Sequence, residues 1–160
     1  MEADGAPARE AGGEDSLLVQ MARLDREDKG GNSAALMRLA GVELVAAHSG
    51  VLFWPSTSTL IVADMHFEKG SSFARRGIMV PPYDTGITLS RLSDARMRYA
   101  PDRVISLGDA FHDVGGPARM PQEWRDARLA LMASREWIWV TGNHDPEPPE
   151  GLPGTTVEEW

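Results

Sequence analysis

Three short stretches of the sequence place carboxylate, amide and imidazole groups directly after apolar runs. Asp64 and His66 follow "TLIVA" closely, since Asp64 comes next after its alanine, and Asp109 follows "RVISLG". The third stretch, after "WIWVTG", contains Asn143 and His144. Because residues two apart on an extended segment point to the same side, Asp64 and His66 can bind one ion together. These residue types are typical of a metal site.

The ligand atoms on offer favour particular ions and a particular chemistry. Nitrogen and oxygen together suit Mn, Fe or Zn better than Ca or Mg. The carboxylate of Asp109 can bridge two cations, and Asn143 offers a neutral carbonyl oxygen. Two metal ions about 3.5–4 Å apart can clamp a phosphate and generate a hydroxide for in-line attack. We therefore predict Asp64, His66, Asp109 and Asn143 as metal ligands.

A general acid is the remaining requirement, and the third stretch supplies candidates. His144 can protonate the leaving oxygen of a phosphoester, because an imidazole titrates near neutral pH. Asp145 can orient that imidazole. We predict His144 and Asp145 as catalytic residues.

Each motif alone has an ordinary alternative. Asp-x-His arises readily by chance, Gly-Asp is a common turn, and Asn-His-Asp can cap a helix, although Pro146 and Pro148 oppose a helix there. His112 could contact substrate or only hydrogen-bond within its loop. Arg75 and Arg76 could face a substrate phosphate or form a solvated loop with Lys69. A site is favoured because all three motifs occur in order, each closing a buried strand.

The elements between the motifs predict an α/β fold. "TLIVA", "RVISL" and "WIWVT" read as buried strands. Helices are predicted over "DTGITLSRLSDARMRYA", capped by Asp84, and over "PQEWRDARLALMA". Before them, "VELVAA" and "VLFWP" predict a β-hairpin. Since ligands of open α/β sheets bind beyond the carboxyl ends of parallel strands, this topology would bring the three motifs together.

The ends of the chain differ from its middle. Residues 1–36 hold eight acids and four bases, and we predict a mobile acidic extension containing a short helix within residues 16–28. Residues 37–160 would form the domain. Between residues 37 and 143 there are eleven acids and twelve bases, so the net charge of −8 says little about what the middle binds.

Composition limits the class of protein. The chain has 160 residues and no cysteine, which excludes disulfides and thiolate metal sites. No stretch approaches the roughly 20 apolar residues of a membrane span. The N-terminus lacks the basic start and apolar core of a signal peptide. We therefore expect a soluble, cytoplasmic protein that does not associate with a membrane.

The three motifs resemble those of the calcineurin-like metallophosphoesterases. The segments "LFWP", "ADMHFEKGSSFARRG", "PPYDT", "SLGDAFHDVGG" and "WVTGNHDP" look like the ligase-associated DNA-damage-response metallophosphoesterases, a bacterial group encoded beside a DNA ligase, a helicase and an exonuclease. The resemblance covers about residues 38–152. It implies an α-β-β-α two-sheet sandwich and manganese-dependent phosphodiesterase or endonuclease activity, with DNA as the expected substrate and the ligase, helicase and exonuclease as possible partners.

The resemblance also assigns roles. It implies that Asp64 and His66 hold a first metal, Asp109 bridges, and Asn143 holds a second metal. His144 would be the catalytic acid, with Asp145 as its neighbour.

The chain departs from that family at its C-terminal side. The family continues into a second sheet with further metal-binding histidines, whereas this chain has four histidines in all and stops at residue 160. We therefore expect the N-terminal portion of the fold, with the second sheet largely missing and one metal site weak or incomplete. The alternatives to a DNA phosphodiesterase are a non-catalytic module that docks in a repair assembly and a small-molecule phosphatase or nucleotide phosphodiesterase.

Overall fold

A computed structural model describes residues 34–141 and 152–158 of the chain. The described residues form a mixed α/β fold with one seven-stranded sheet. Its strands are β1 Ala34–Leu39, β2 Val42–Ala47, β3 Leu52–Trp54, β4 Thr59–Val62, β5 Arg103–Leu107, β6 Glu136–Val140 and β7 Thr155–Val157. The α-helices are α1 Lys69–Arg75, α2 Asp84–Tyr99, α3 Gly116–Arg119 and α4 Gln122–Met132, and a 3-10 turn spans Pro55–Thr57.

The order of the strands in the sheet is their order along the chain. β1 to β4 pair antiparallel. Short hairpin turns connect β1 to β2 and β2 to β3, and the 3-10 turn connects β3 to β4. β4 to β7 pair parallel. Parallel neighbours need crossover connections, and helices α1 to α4 lie in the two crossovers that join β4 to β5 and β5 to β6. The carboxyl ends of β4, β5 and β6 therefore meet at one edge.

One face of the sheet packs against the helices. Alternation along the strands places Leu60 beside Val104 and Trp137, which are paired in register. These three side chains are buried in one apolar cluster with Leu89 of α2 and Leu131 of α4. The amphipathic helices thus hold the strands, and through them the strand ends, in fixed positions.

The opposite face is also largely buried along the middle of the sheet. Leu44, Ile105 and Ile138 are buried but lie outside the cluster that faces the helices. Leu107, at the end of β5, is 48% exposed. Ile105 and Ile138, which are paired in register, show that β5 and β6 bury side chains on both faces of the sheet.

Most of the predicted elements are confirmed. The hairpin, the three buried strands and the two long helices lie where their patterns placed them. The short helix expected within residues 16–28 lies outside the described residues. No helix in the described part of the chain is long and apolar enough to cross a membrane.

Several elements were not expected, among them the short helix α3 and the 3-10 turn. β1 begins at Ala34, before the expected domain boundary at residue 37, and pairs with β2 over its whole length. A helix, α1, occupies Lys69–Arg75, where a loop was expected. β7 adds a short parallel strand beside β6, in a segment for which no strand was predicted.

The predicted cap of α2 was wrong. Tyr83 is the N-cap residue, and Asp84 lies in the first turn of the helix. The Oδ2 atom of Asp84 accepts a hydrogen bond from the backbone N–H of Gly70 at 3.2 Å. The carboxylate therefore ties α1 to α2 instead of capping its own helix.

Candidate metal site

The segments after β4 and β5 are joined by backbone hydrogen bonds beyond the ends of the strands. The N–H of His66 donates to the carbonyl of Asp109 at 3.0 Å, and the N–H of Phe67 donates to the carbonyl of Ala110 at 2.9 Å. The N–H of His112 in turn donates to the carbonyl of Phe67 at 3.0 Å. These bonds extend the parallel pairing past the sheet and set the separation of the two segments.

Several residues of these segments have a backbone conformation that side chains disfavour. The φ angles are 51° for Asp64, 45° for His66, 65° for Glu68 and 49° for Asp109. A non-glycine residue in this left-handed region costs on the order of 1–3 kcal/mol and persists only where its surroundings hold it. Such strain is concentrated at functional sites, and here it coincides with the predicted ligands.

Three predicted ligands converge at this edge of the sheet. Asp64, His66 and Asp109 each offer one ligand atom, and these atoms all lie within 4.8 Å of one another. His66 Nε2 is 3.8 Å from Asp64 Oδ1. The Asp64 side chain is 68% exposed and that of His66 is 25% exposed, so an ion can reach the cluster from solvent.

The donor set of this cluster fits a divalent transition metal. Two carboxylates bring negative charge, and an imidazole brings a nitrogen ligand, which is the mixture that Mn, Fe and Zn sites use. Because ligand atoms around one ion at about 2.0–2.3 Å lie within about 4.6 Å of each other, the observed spacing is close to what one ion needs.

His112 lies beside the cluster. Its ring meets that of His66 edge to face, with 5.4 Å between the ring centroids, and it stacks on Phe73 of α1 at 5.5 Å. The His112 ring is thus held by α1 and lies against a predicted ligand. This position is compatible with a contact to substrate and also with a purely structural contact.

Asn143, His144 and Asp145 lie outside the described residues, and their roles stay predictions. The described chain reaches Thr141, directly after β6. Val140 is paired in register with Leu107 of β5, so β6 ends at the edge of the sheet where Asp109 follows β5.

Arg75 and Arg76 are exposed at the end of α1. They border an open cleft of about 400 Å³. The cleft is lined by Ser72, Arg75, Arg76, Asp113, Val114 and Gly115. Two cations therefore flank a space between α1 and the segment that follows His112.

A second polar cluster, which the sequence did not predict, connects the segment that carries Asp64 and His66 with the segment that follows Asp109. Arg119 donates to Asp113 through both terminal guanidinium nitrogens, Nη1 and Nη2, at 2.9 and 2.8 Å. The hydrogen bonds from Arg119 lower the pKa of Asp113 to about 2. Arg119 also donates to Ser71 at 3.1 Å, and Ser71 donates to the buried carboxylate of Glu68 at 2.7 Å. These contacts join residues up to 48 positions apart. A pattern of neighbouring residues in the sequence could not have predicted them.

The fold and the cluster together define a class of protein. A parallel α/β sheet that carries an Asp-x-His segment and a Gly-Asp segment at adjacent strand ends is the framework of a metal-dependent phosphoesterase. Comparison with protein families agrees, because residues 57–160 match the calcineurin-like phosphoesterase family. The match covers more than half of the chain, and the chain belongs to this family.

A solved structure is also similar. The crystal structure of the Pseudomonas putida nuclease MPE aligns with a TM-score of 0.59 and 25% sequence identity, over 78% of this chain and 60% of that one. The chain therefore spans less than two thirds of the length of that nuclease. No curated protein sequence matches the chain significantly.

Proposed function

We propose that this protein is a divalent-metal-dependent phosphodiesterase whose substrate is DNA. The observation that carries the proposal is the convergence of Asp64, His66 and Asp109 within 4.8 Å at the ends of two adjacent parallel strands. Membership of the calcineurin-like phosphoesterase family supports the reaction class. The similarity to a protein named as a nuclease supports a nucleic-acid substrate.

The residues have distinct roles in this proposal. Asp64, His66 and Asp109 hold one metal ion, for which we propose Mn²⁺, and Asp109 also contributes to a second position with Asn143. When bound, a metal ion of this kind polarises the phosphoryl oxygen and lowers the pKa of water. Backbone hydrogen bonds from Asp64 to Gly108 and from His66 to Asp109 hold the two ligand segments side by side before any ion arrives.

Proton transfer to the leaving group is assigned to His144, with Asp145 orienting its imidazole. The support comes from the sequence: both residues follow β6, and β6 is the neighbour of β5 in the sheet. A protonated imidazole supplies the proton that the leaving oxygen of a phosphodiester needs.

Binding of the polyanionic substrate is assigned to Arg75 and Arg76, with His112 beside the metal ligands. Both arginines are exposed and border the cleft next to the polar cluster. Guanidinium groups bind phosphates through paired hydrogen bonds. A DNA strand that crosses the cleft would therefore have its backbone phosphates neutralised there.

The assembly in which the protein acts is proposed from the sequence resemblance alone. A DNA ligase, a helicase and an exonuclease are the expected partners. Copurification of the protein with each of the three enzymes, measured with and without DNA, tests this part of the proposal.

The reaction class is tested by hydrolysis of bis-p-nitrophenyl phosphate. We expect turnover that requires added Mn²⁺ and is lost in Asp64→Ala. If the protein binds Mn²⁺ but never hydrolyses this ester, the non-catalytic docking module is the better account.

The substrate class is tested by nicking of supercoiled DNA. We expect conversion to the open circle with the same Mn²⁺ requirement. Hydrolysis of small phosphoesters without any nicking would favour the small-molecule phosphatase or nucleotide phosphodiesterase instead.

A further inference from the structure

The buried carboxylate of Glu68 lies between the metal-ligand segment and two helices. Glu68 is only 5% exposed, which is unusual for a glutamate. Its Oε1 accepts a hydrogen bond from Thr85 at 3.1 Å, and its Oε2 accepts one from Ser71 at 2.7 Å. A buried carboxylate is retained only where such donors offset its loss of water.

Thr85 contacts Glu68 twice. Besides donating to the carboxylate, its hydroxyl oxygen accepts a hydrogen bond from the backbone N–H of Glu68 at 3.0 Å. Thr85 itself is buried and lies in the first turn of α2. The longest helix of the described fold is thereby attached to the residue that ends the segment carrying Asp64 and His66.

The backbone of that segment needs such an attachment. Asp64, His66 and Glu68 alternate in the left-handed region, at φ angles of 51°, 45° and 65°. Backbone bonds to Gly108 and Asp109 hold the first two. Glu68 is the last of the three, and it is held by the side chains of Thr85 and Ser71.

The same hydrogen-bond chain reaches the segment that carries Asp109. Ser71 accepts a hydrogen bond from Arg119 at 3.1 Å, and Arg119 binds Asp113 through two nitrogens. Asp113 lies four residues after Asp109. The two ligand segments are thus connected a second time, behind the metal cluster.

We propose that Glu68 is a positioning residue for the metal site. It contacts neither the ion nor the substrate. Its carboxylate fixes the strained backbone of residues 64–68 against α2 and α1, so that Asp64 and His66 are set at the distance from Asp109 that one ion requires. This inference rests on the proposed function, because it assumes that the cluster binds a divalent metal.

The test is the dissociation constant for Mn²⁺, measured by electron paramagnetic resonance titration at a temperature where every variant is folded. Groups that orient metal ligands typically change metal affinity by about 10–100-fold. We expect Glu68→Gln to raise the dissociation constant about tenfold, since a carboxamide nitrogen cannot accept the hydrogen bond from a hydroxyl.

Thr85 offers a matched pair of substitutions that does not alter Glu68 at all. Thr85→Val removes the hydroxyl and keeps the shape, and we expect weaker Mn²⁺ binding by a similar factor. Thr85→Ser keeps the hydroxyl, and we expect wild-type affinity. Glu123→Gln, at an exposed position in the first turn of α4, is the control for loss of a glutamate charge and should leave the affinity unchanged.

The possible outcomes distinguish a packing role of Glu68 from a positioning role, and both from a protein that binds no Mn²⁺. If Glu68→Gln and Thr85→Val lower the melting temperature but leave the dissociation constant within about twofold of wild type, Glu68 is a packing residue and the inference is overturned. If Thr85→Ser binds Mn²⁺ as weakly as Thr85→Val, loss of the hydroxyl contact is not the cause of the weaker binding, and the inference is overturned. An unmodified protein that binds no Mn²⁺ would overturn the proposed function itself, whereas equal binding by all variants would overturn only this inference.

Discussion

Asp109 is the residue that joins the two halves of the candidate site. It follows β5 after Gly108, its carbonyl accepts the N–H of His66 at 3.0 Å, and its carboxylate lies within 4.8 Å of the ligand atoms of Asp64 and His66. One residue thus provides both a backbone contact that positions a neighbour and a ligand atom. Its substitution should therefore affect metal binding more than that of any single exposed acid elsewhere.

Asp109→Asn should weaken Mn²⁺ binding by at least about tenfold. The amide keeps the size of the side chain and one oxygen, but a neutral oxygen replaces one of the two carboxylates that bring negative charge to the ion. Isothermal titration calorimetry should show a single weak site in the wild type. Asp102→Asn is the matched control, because Asp102 is exposed and lies just before the first residue of β5, at the end of the strand away from Asp109. Equal affinities of the two variants would show that the ion binds elsewhere.

His144→Ala should spare Mn²⁺ binding and slow turnover according to the leaving group. General acid catalysis contributes roughly 10²–10⁴-fold, and p-nitrophenolate needs a proton least. We expect a larger loss of turnover for alkyl phosphodiesters than for bis-p-nitrophenyl phosphate, measured as the ratio of kcat in wild type and variant. The same loss on both would show that His144 binds the phosphate or the metal.

Asp113 gives the protein a pH-dependent contribution to stability. Hydrogen bonds from Arg119 hold its pKa at about 2 in the folded state, below the value of about 3.9 expected in the unfolded chain. The stabilising contribution, about 1–2 kcal/mol after allowance for the partial exposure of the pair, is therefore complete above about pH 4. It is lost as the pH falls toward 2.

Urea unfolding of wild type and Asp113→Asn measures this contribution. The difference in the free energy of unfolding should be largest at pH 5 to 7 and should shrink between pH 4 and pH 2. A difference that stayed constant down to pH 2 would mean that the carboxylate does not act as a charge in this pair.

Helix α4 illustrates how packing can override the usual placement of charge. Arg128 is 7% exposed and lies over the ring of Phe111, with 5.4 Å from its guanidinium carbon to the ring centroid. Its Nε and Nη1 atoms are buried without a hydrogen-bond partner in the described structure. Burial, with a smaller contribution from the charge of Arg125, lowers the pKa of Arg128 to about 10.

Arg128→Met should leave the free energy of unfolding unchanged or raise it by about 1–2 kcal/mol. Methionine fills a similar volume, and the cost of burying an incompletely paired cation exceeds the roughly 0.5–2 kcal/mol of a cation–π contact. Arg128→Ala is the control, because it removes the cation and also leaves a cavity, and we expect it to be less stable than Arg128→Met by about 2 kcal/mol. Urea denaturation of the three proteins provides the comparison, and a destabilised Arg128→Met would show that the guanidinium makes a favourable contact.

The elements that the sequence predicted are those with a strong local pattern. "RVISL" and the helix that begins at Asp84 have uninterrupted apolar periodicity, so their type and extent could be assigned. Helix α1 has glycine and two serines near its start, which are weak helix formers, and it depends on contacts such as Gly70 with Asp84. Such an element is fixed by residues that are distant in sequence, and a local pattern does not contain that information.

The candidate site was predicted to the same extent and for the same reason. The proximity of Asp64, His66 and Asp109 could be predicted because each follows a recognisable buried strand, and topology then brings strand ends together. Glu68 and Arg119 act through side-chain contacts across 17 and 48 positions. Their neighbours in sequence give no sign of those contacts, so only the folded arrangement identifies them.

For the molecule as a whole, the distribution of charge matters more than the net charge of −8. The acids are concentrated toward the two ends of the chain, and the middle is close to neutral. Arg75 and Arg76 are exposed at the cleft beside the proposed metal site. If DNA is the substrate, its binding should therefore depend on a few local cations and weaken only moderately with salt, because the salt dependence grows with the number of phosphate contacts.

Arg75→Gln and Arg76→Gln should each weaken DNA binding and reduce the slope of log affinity against log salt concentration by about 1, the expected effect of losing one phosphate contact. Hydrolysis of bis-p-nitrophenyl phosphate should be unchanged, because that ester has one phosphate and no neighbouring backbone phosphates for the arginines to bind. Arg91→Gln, at an exposed position of α2, changes the charge equally. Fluorescence anisotropy with a labelled oligonucleotide makes the comparison, and an equal effect of Arg91→Gln would assign the loss to overall charge.

The most direct test of the metal site is an anomalous-scattering map from crystals of the protein grown with Mn²⁺. The proposed function predicts a peak at about 2.0–2.3 Å from a carboxylate oxygen of Asp64, an imidazole nitrogen of His66 and a carboxylate oxygen of Asp109. Crystals of Asp109→Asn, treated in the same way, should show that peak weakened or lost. A strong Mn²⁺ peak elsewhere in the molecule, with none at these three residues, would contradict the proposal.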